Sequence, residues 1–509
     1  MGATGPVHWG ALAALVVFYS LVYAVGRSAA LRHRVSSADD LLLARRALPW
    51  WIGVFTMSAT WVGGGYVNGT AEAVYSQGLV WVQAPWGYAL SLVVGGLCFA
   101  RVMRRHRFTT MLDPLEARFG RRMAAVLYLP ALTAEVFWTG AILTALGTTL
   151  GTVLGLGFAP SIIVSATVAV AYTLAGGLWS VALTDVLQLV VFLVGLWLVV
   201  PLVAGEVGGL DVAWTSYVAD GGGTSLVPPW RGWEDPAWGD TYWSWWDSAL
   251  LLIFGGVAWQ VYFQRVLASK SEQGAVALSL VAAVVCLVAA IPAALIGVVG
   301  ATADWGARGL ADPEPALVLP YVLRYLTDPV VASLGLGALA AAVMSSVDSS
   351  VLSASGMGVW NVYRPLVNPA ADPALLTRLI RRLILIVGTA ATLIALQVGS
   401  VYALWFLCSD FVYCLLFPQL VTALFDRRAN RYGSMAGFAV SFLLRAGGGE
   451  PALGFPTWLP YPMIDASGAV FFPFRTTAML AGLLTIVLVS RLTARACPPE
   501  PLRRPDSAH

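Results

Sequence analysis

Long apolar runs recur from one end of this chain to the other, each close to the roughly 20 residues that a helix needs to cross hydrocarbon. About thirteen can be marked, near 8–27, 48–69, 80–101, 122–150, 160–178, 182–204, 246–268, 275–300, 330–357, 378–397, 400–424, 432–446 and 474–492. The 509 residues are 58% hydrophobic and 11% charged, whereas a soluble domain carries about 25% charged residues. That balance places the chain in a lipid bilayer as an all-α polytopic membrane protein with no separate soluble domain. The run from Trp9 to Val25 lacks a basic leader and a small-residue cleavage site, so it reads as a retained helix.

Arginine fixes the expected orientation, because basic residues collect on the cytoplasmic side. Arg32, Arg34, Arg45 and Arg46 share one side with Arg101, Arg104, Arg105, Arg107, Arg121 and Arg122. The same side receives Arg265 and Lys270, Arg378, Arg381 and Arg382, then Arg427, Arg428 and Arg431, and finally Arg491 and Arg495. The opposite loop 206–243 carries Glu206, Asp211, Asp220, Glu234, Asp235 and Asp240 against Arg231. The alternation predicts an outer N-terminus, an odd number of spans and a short cytoplasmic tail at 493–509 with Arg503 and Arg504. The formal charge of +3 is then a topology signal and implies no nucleic-acid partner.

Catalysis finds little support. The four histidines have no metal-ligand spacing, and no nucleophile stands beside a base. Cys98, Cys286, Cys408 and Cys414 fall in spans and Cys497 in the inner tail, away from an oxidising compartment. The sequon at Asn68 lies within a span and is expected to be unused. The reading is that the protein is not an enzyme and needs no organic cofactor.

Two spans contradict their own helicity. Gly63, Gly64 and Gly65 interrupt 48–69 just after Trp61, and Gly255 and Gly256 interrupt 246–268 ahead of Trp259. Glycine costs a helix interior about 1 kcal/mol relative to alanine, and freed carbonyls are tolerated at membrane depth only where they line a cavity or are buried in protein. Close helix packing is the plainer explanation of either set. Interrupted helices at corresponding positions of two halves, however, point to a transporter site built on inverted repeats. These two stand five spans apart, each beside a tryptophan whose face attracts a quaternary ammonium.

Near 330–357, Ala342, Ser345, Ser346 and Ser349 share one helix face at spacings of three and four, with Asp348 on its flank. Serine rows often serve helix–helix hydrogen bonding. An ionisable group at membrane depth is usually functional, which favours a cation site of hydroxyls and loosened carbonyls. Asp185 completes a second such site or starts a helix at the interface. Glu72, Glu135, Asp247 and Asp410 are further acids in or near spans, and the sequence does not choose a substrate counter-charge among them. Of the 21 tryptophans, many cluster at 230–246 as an interfacial belt, while Trp61, Trp138, Trp259 and Trp405 sit inside spans.

The stretch TMSATWVGGGYVNGTAEAVY resembles the sodium/solute symporter family, and in particular its choline-transporting branch. The resemblance continues through APWGYALSL, TMLDPLEARFG, EVFWTGAILTALG, AGGLWSVALTDVLQL, GGVAWQVYFQRVL, AAAVMSSVDSSVLSAS and YALWFLCSDFVYCLLFPQL. It implies a LeuT-type core of two inverted five-helix repeats, at 48–204 and 246–424. One extra helix would precede the core at 8–27 and two would follow at 432–492, in a single transporter domain over 1–509. It implies a sodium site from the carbonyls of Ala59 and Val62 with Ala342, Ser345 and Ser346. It implies a second sodium site from Asp185, Ser345, Asp348 and Ser349, and a choline cage from Trp61, Tyr88, Trp138, Trp259 and Trp405. Chloride dependence, a plasma-membrane location at the presynaptic terminal and in synaptic vesicles, and supply of choline for acetylcholine synthesis belong to the same expectation. Oligomeric state has no signal in the sequence. The residues also fit a sodium symporter for another small solute, such as a sugar or proline, or a non-transporting sensor or channel.

Overall fold

A computed structural model describes residues 7–32, 38–174, 178–466 and 468–502. Arg34, Arg503 and Arg504, which the orientation argument used, lie outside the described residues. Among the described residues the secondary structure is helical apart from isolated bridges. Thirteen long rods, with divided ones counted once, stand beside shorter helices at Ala38–Leu43, Asp113–Phe119, Leu210–Ala219 and Val318–Tyr325. The first is α1 (Trp9–Arg32), and the second is divided into α2a (Trp50–Trp61) and α2b (Gly64–Gln77). Next come α3 (Leu79–Arg105), α4 (Arg121–Leu154), α5 (Phe158–Thr173) and α6 (Leu178–Gly205). The seventh rod is again divided, into α7a (Thr241–Gly255) and α7b (Gln260–Ala268). It is followed by α8 (Glu272–Thr302), α9 (Pro329–Leu366), α10 (Pro373–Gln397) and α11 (Val401–Phe425). The last two are α12 (Arg431–Gly447) and α13 (Phe474–Leu492).

Ten of these rods are long and apolar enough to cross a membrane. The other three are α2, which its break divides into 12 and 14 residues, α5 with 16 residues and α12 with 17. Burial sorts centre from rim. In the apolar windows of α7 and α11, 83% of residues are buried, against 22% in α1 and 28% in α13. The divided α7 therefore stands in the middle of the bundle with α11, and α2b, buried from Gly64 to Val74, stands beside them. There, α4 packs against α9, α10 and α11, α2b against α8, and α2a against α6 and α8.

The first break falls one residue earlier than the glycine triplet suggests. Val62 ends α2a with φ −84° and ψ 47°, Gly63 is extended at ψ −176°, and Gly64 already begins α2b. The reason is contact with α9. A Cβ on Gly63 would lie 1.9 Å from Ser346 Oγ, and one on Gly64 would lie 2.4 Å from Val343. The second break follows the same rule against other partners. A Cβ on Gly255 would meet the Ser409 carbonyl oxygen at 2.6 Å, and one on Gly256 the Ser91 hydroxyl at 2.4 Å. The glycines are where a neighbouring helix presses on the bend.

Candidate functional site: an aromatic cavity between two broken helices

Each break delivers a tryptophan to the same place. Trp61 is the last residue of α2a, and Trp259, extended at φ −112° and ψ 136°, precedes α7b. Together with Tyr88 of α3, Trp138 of α4, Trp405 of α11 and Val261 of α7b they line one narrow cavity. All five rings are buried. Tyr88 and Trp405 stack with centroids 4.7 Å apart, and Trp138 meets Trp259 edge to face at 5.2 Å. Trp259 Nε1 donates to the Gly255 carbonyl at 2.5 Å, and the Tyr88 hydroxyl pairs with Ser409 Oγ. The structure brings together all five aromatic residues singled out in the sequence and adds Val261. No charged side chain belongs to the lining among the described residues.

Below Trp61, α9 faces the end of α2a with its serines. Ser345 Oγ lies 3.4 Å from the Ala59 carbonyl, and Ser346 Oγ lies 3.4 Å from the Ala59 and 3.3 Å from the Thr60 carbonyl. These are long for O–H···O bonds, whose usual length is about 2.7–2.8 Å. The oxygens thus converge without binding one another tightly. Val62 sits at the break and its N–H returns to the Ser58 carbonyl at 2.7 Å. The side chain of Ala342 lies outside the described residues. The Thr60 carbonyl is an addition that the sequence did not single out.

Deeper still, Asp185 of α6, Asp348 and Ser349 are all buried, and they meet a residue read differently from the sequence. Arg265 was expected on the cytoplasmic side with Lys270, but it is 0% exposed. Every residue of α7b is buried, so Arg265, four residues after Val261, is held inside the bundle. Arg265 donates to Ser349 Oγ at 2.5 Å, to Gln264 Oε1 at 3.0 Å and, more distantly, to Thr56 Oγ1 at 3.4 Å. Its guanidinium is 3.9 Å from Asp185, whose Oδ2 accepts from Thr56 Oγ1 at 2.5 Å. Asp348 Oδ1 accepts from the Ser349 N–H at 3.0 Å. The second expected cation site therefore already contains a guanidinium, and hydroxyls from α2a that the sequence reading missed.

The remaining acids sort by partner. Glu72 of α2b accepts from Ser400 Oγ at 2.6 Å and from the Tyr402 N–H at 3.3 Å, capping α11. Asp410 binds Arg445 at 2.6 Å and Arg475 at 2.9 Å, and Asp247 binds Thr476 Oγ1 at 2.6 Å. Those partners come from α12 and α13, so both acids serve to anchor the last two helices. Among the described residues neither carboxylate oxygen of Glu135 has a hydrogen-bond partner.

With this geometry described, comparison with known proteins is specific. The sodium:solute symporter family profile matches residues 41–441. The high affinity choline transporter 1 of Homo sapiens is 45% identical over 502 residues, covering 95% of this chain and 85% of the relative. The high-affinity choline transporter 1 of Caenorhabditis elegans is 44% identical over 505 residues, covering 94% and 84%. The solved structure of a Na+-coupled sialic acid symporter superimposes with a TM-score of 0.77 at 18% identity, covering 97% of this chain and 98% of that one. The fold is the LeuT-type inverted repeat of sodium-coupled transporters. The relatives are transporters rather than enzymes.

Proposed function

The chain belongs to the sodium:solute symporter family, and from that premise we propose that it performs sodium-coupled, high-affinity uptake of choline by alternating access. The observation that carries this reading is the convergence of five buried rings on one cavity whose wall, among the described residues, holds no charged side chain. A trimethylammonium group has no N–H to donate, so hydrogen bonds cannot hold its charge. Ring faces can, at about 0.5–1 kcal/mol each when exposed and 2 or more when desolvated. Primary and secondary amines lose their hydrogen bonds to water on entering such a box and find none there, which rejects them.

Sodium fits the oxygens below the cage. Carbonyls of Ala59 and Val62 with Ala342, Ser345 and Ser346 form the first site, and Asp185, Ser345, Asp348 and Ser349 the second. Each set takes ligands from more than one element, so a bound ion ties those elements together. An ion shifts the conformational equilibrium only by its differential affinity for the two states. Inward movement of a charge down a membrane potential adds about 2.3 kcal/mol per 100 mV. Repeats at 48–204 and 246–424 would then rock about the cage, with the arginine-rich helix ends on the cytoplasmic side. Chloride dependence, and a presynaptic and vesicular setting that feeds acetylcholine synthesis, complete the proposal; resemblance alone supports them.

Uptake of labelled choline into proteoliposomes tests this reading. Uptake should require an inward sodium gradient and collapse in Trp61→Ala. Uptake that ignores sodium, or a different labelled solute that choline fails to displace, would contradict it.

A further inference from the structure

One turn from the cage stands a carboxyl group that makes no hydrogen bond among the described residues. Glu135 lies three residues before Trp138 on α4, toward the arginine-rich end at Arg121 and Arg122. It is 2% exposed, and among the described residues neither of its carboxylate oxygens has a hydrogen-bond partner. Its helix face is internal. Thr139, four residues on and so on the same face, pairs with Ser350 of α9, while Trp138 lines the cavity. On the facing helix, Val261 lines the cavity and Arg265 sits one turn further in the same direction. Both helices thus carry an ionisable group just inside the cage. Arg265 hydrogen-bonds Ser349 and Gln264 and is near enough to feel the charge of Glu135, whereas Glu135 itself makes no hydrogen bond among the described residues.

A buried carboxyl group without a donor is costly, and at membrane depth such a group usually has a ligand. The other acids of the spans have partners, as described above. The ligand that passes within one turn of Glu135 is the organic cation of the cage. Resting on the reading of that cage, we propose that Glu135 is a second station for the organic cation, on the inner side of the rings. A dry aromatic box that holds a cation well also releases it slowly. A carboxylate one turn inward offers the ammonium a partner as the inner side opens, and this lowers the barrier to leaving. The rings select the substrate, and Glu135 speeds its departure.

The test compares maximal uptake velocity with equilibrium choline binding in the full-length protein, using Glu135→Gln and Glu135→Asp. Glu135→Gln should lower the velocity about tenfold while leaving binding within about threefold, since it removes an interaction made after the ground state. Glu135→Asp should recover much of the velocity. Wild-type velocity in Glu135→Gln would overturn the proposal. So would loss of binding and velocity together in both variants, which marks a packing residue. Failure of the unaltered protein to bind choline would sink the cage reading itself and this inference with it.

Discussion

Arg265 Nη2 donates to Ser349 Oγ at 2.5 Å, with the two side chains fully enclosed between α7b and α9. The contact joins the inner half of one broken helix to the serine helix that faces the other. It also puts a tethered cation among the oxygens assigned to the second sodium.

Removing that guanidinium leaves Asp185 and Asp348 without their buried counter-charge. Loss of one partner of a buried pair costs roughly 3–5 kcal/mol. Arg265→Ala is expected to lower the thermal midpoint in detergent markedly, and Arg265→Lys to lower it less. High sodium should recover part of the loss in Arg265→Ala, because an ion can replace the missing charge. A melting curve with and without sodium reads this; identical midpoints for Arg265→Ala and wild type would contradict the assignment.

Substrate and ion roles should separate. Trp259→Ala removes a desolvated ring worth ~2 kcal/mol, so half-saturating choline should rise about thirtyfold. Its sodium activation curve should move little. Ser345→Ala should do the reverse, raising half-saturating sodium more than half-saturating choline. Equal loss of both properties in both variants would show that the division of labour is wrong.

The glycines of the first break give a steric test. Gly63→Ala and Gly64→Ala force a methyl group against Ser346 and Val343, where the added atom would sit 1.9 and 2.4 Å away. Overpacking of this kind costs roughly 1–3 kcal/mol, and both variants should lose thermal stability and uptake. Gly65→Ala meets nothing nearer than 3.7 Å and should be tolerated. A tolerant Gly63→Ala with wild-type uptake would deny the close approach of α9.

How much of this was readable from the residues follows from how local each signal is. Trp61 and Trp259 announce themselves because each stands beside a glycine break within its own helix. The serine row of α9 is visible because its spacing is helical. Arg265 was misplaced because a cationic side chain near a span end ordinarily marks a cytoplasmic loop. The packing of α7b against α2a, α8 and α9 turns it inward. Asp247 and Asp410 looked like candidate counter-charges, yet their partners Arg475 and Arg445 lie far along the chain on α13 and α12. A distant ion pair leaves no local pattern. The break itself moved to Val62 and Gly63 because contact with α9, and not glycine count, sets its position.

The C-terminal helices carry their own prediction. Asp410 is held by Arg445 and Arg475, and Arg445 also reaches Glu450 at 2.6 Å. Asp410→Asn should loosen α12 and α13 from α11, by less than the roughly 3–5 kcal/mol of a broken buried pair, because Arg475 is 24% exposed and Arg445 keeps Glu450. Limited proteolysis should then cut the segment 448–473 faster than in wild type. Unchanged cleavage would mean that apolar packing alone holds the pair.

The most direct measurement of the central claim is calorimetric binding of choline and of its uncharged carbon isostere, 3,3-dimethylbutan-1-ol, to the purified protein in sodium. Five ring faces around a permanent charge predict that choline binds at least about thirtyfold more tightly, from the ~2 kcal/mol of a single desolvated ring. They also predict that Trp61→Ala narrows the gap. Equal affinity for the charged and neutral molecules would contradict the account.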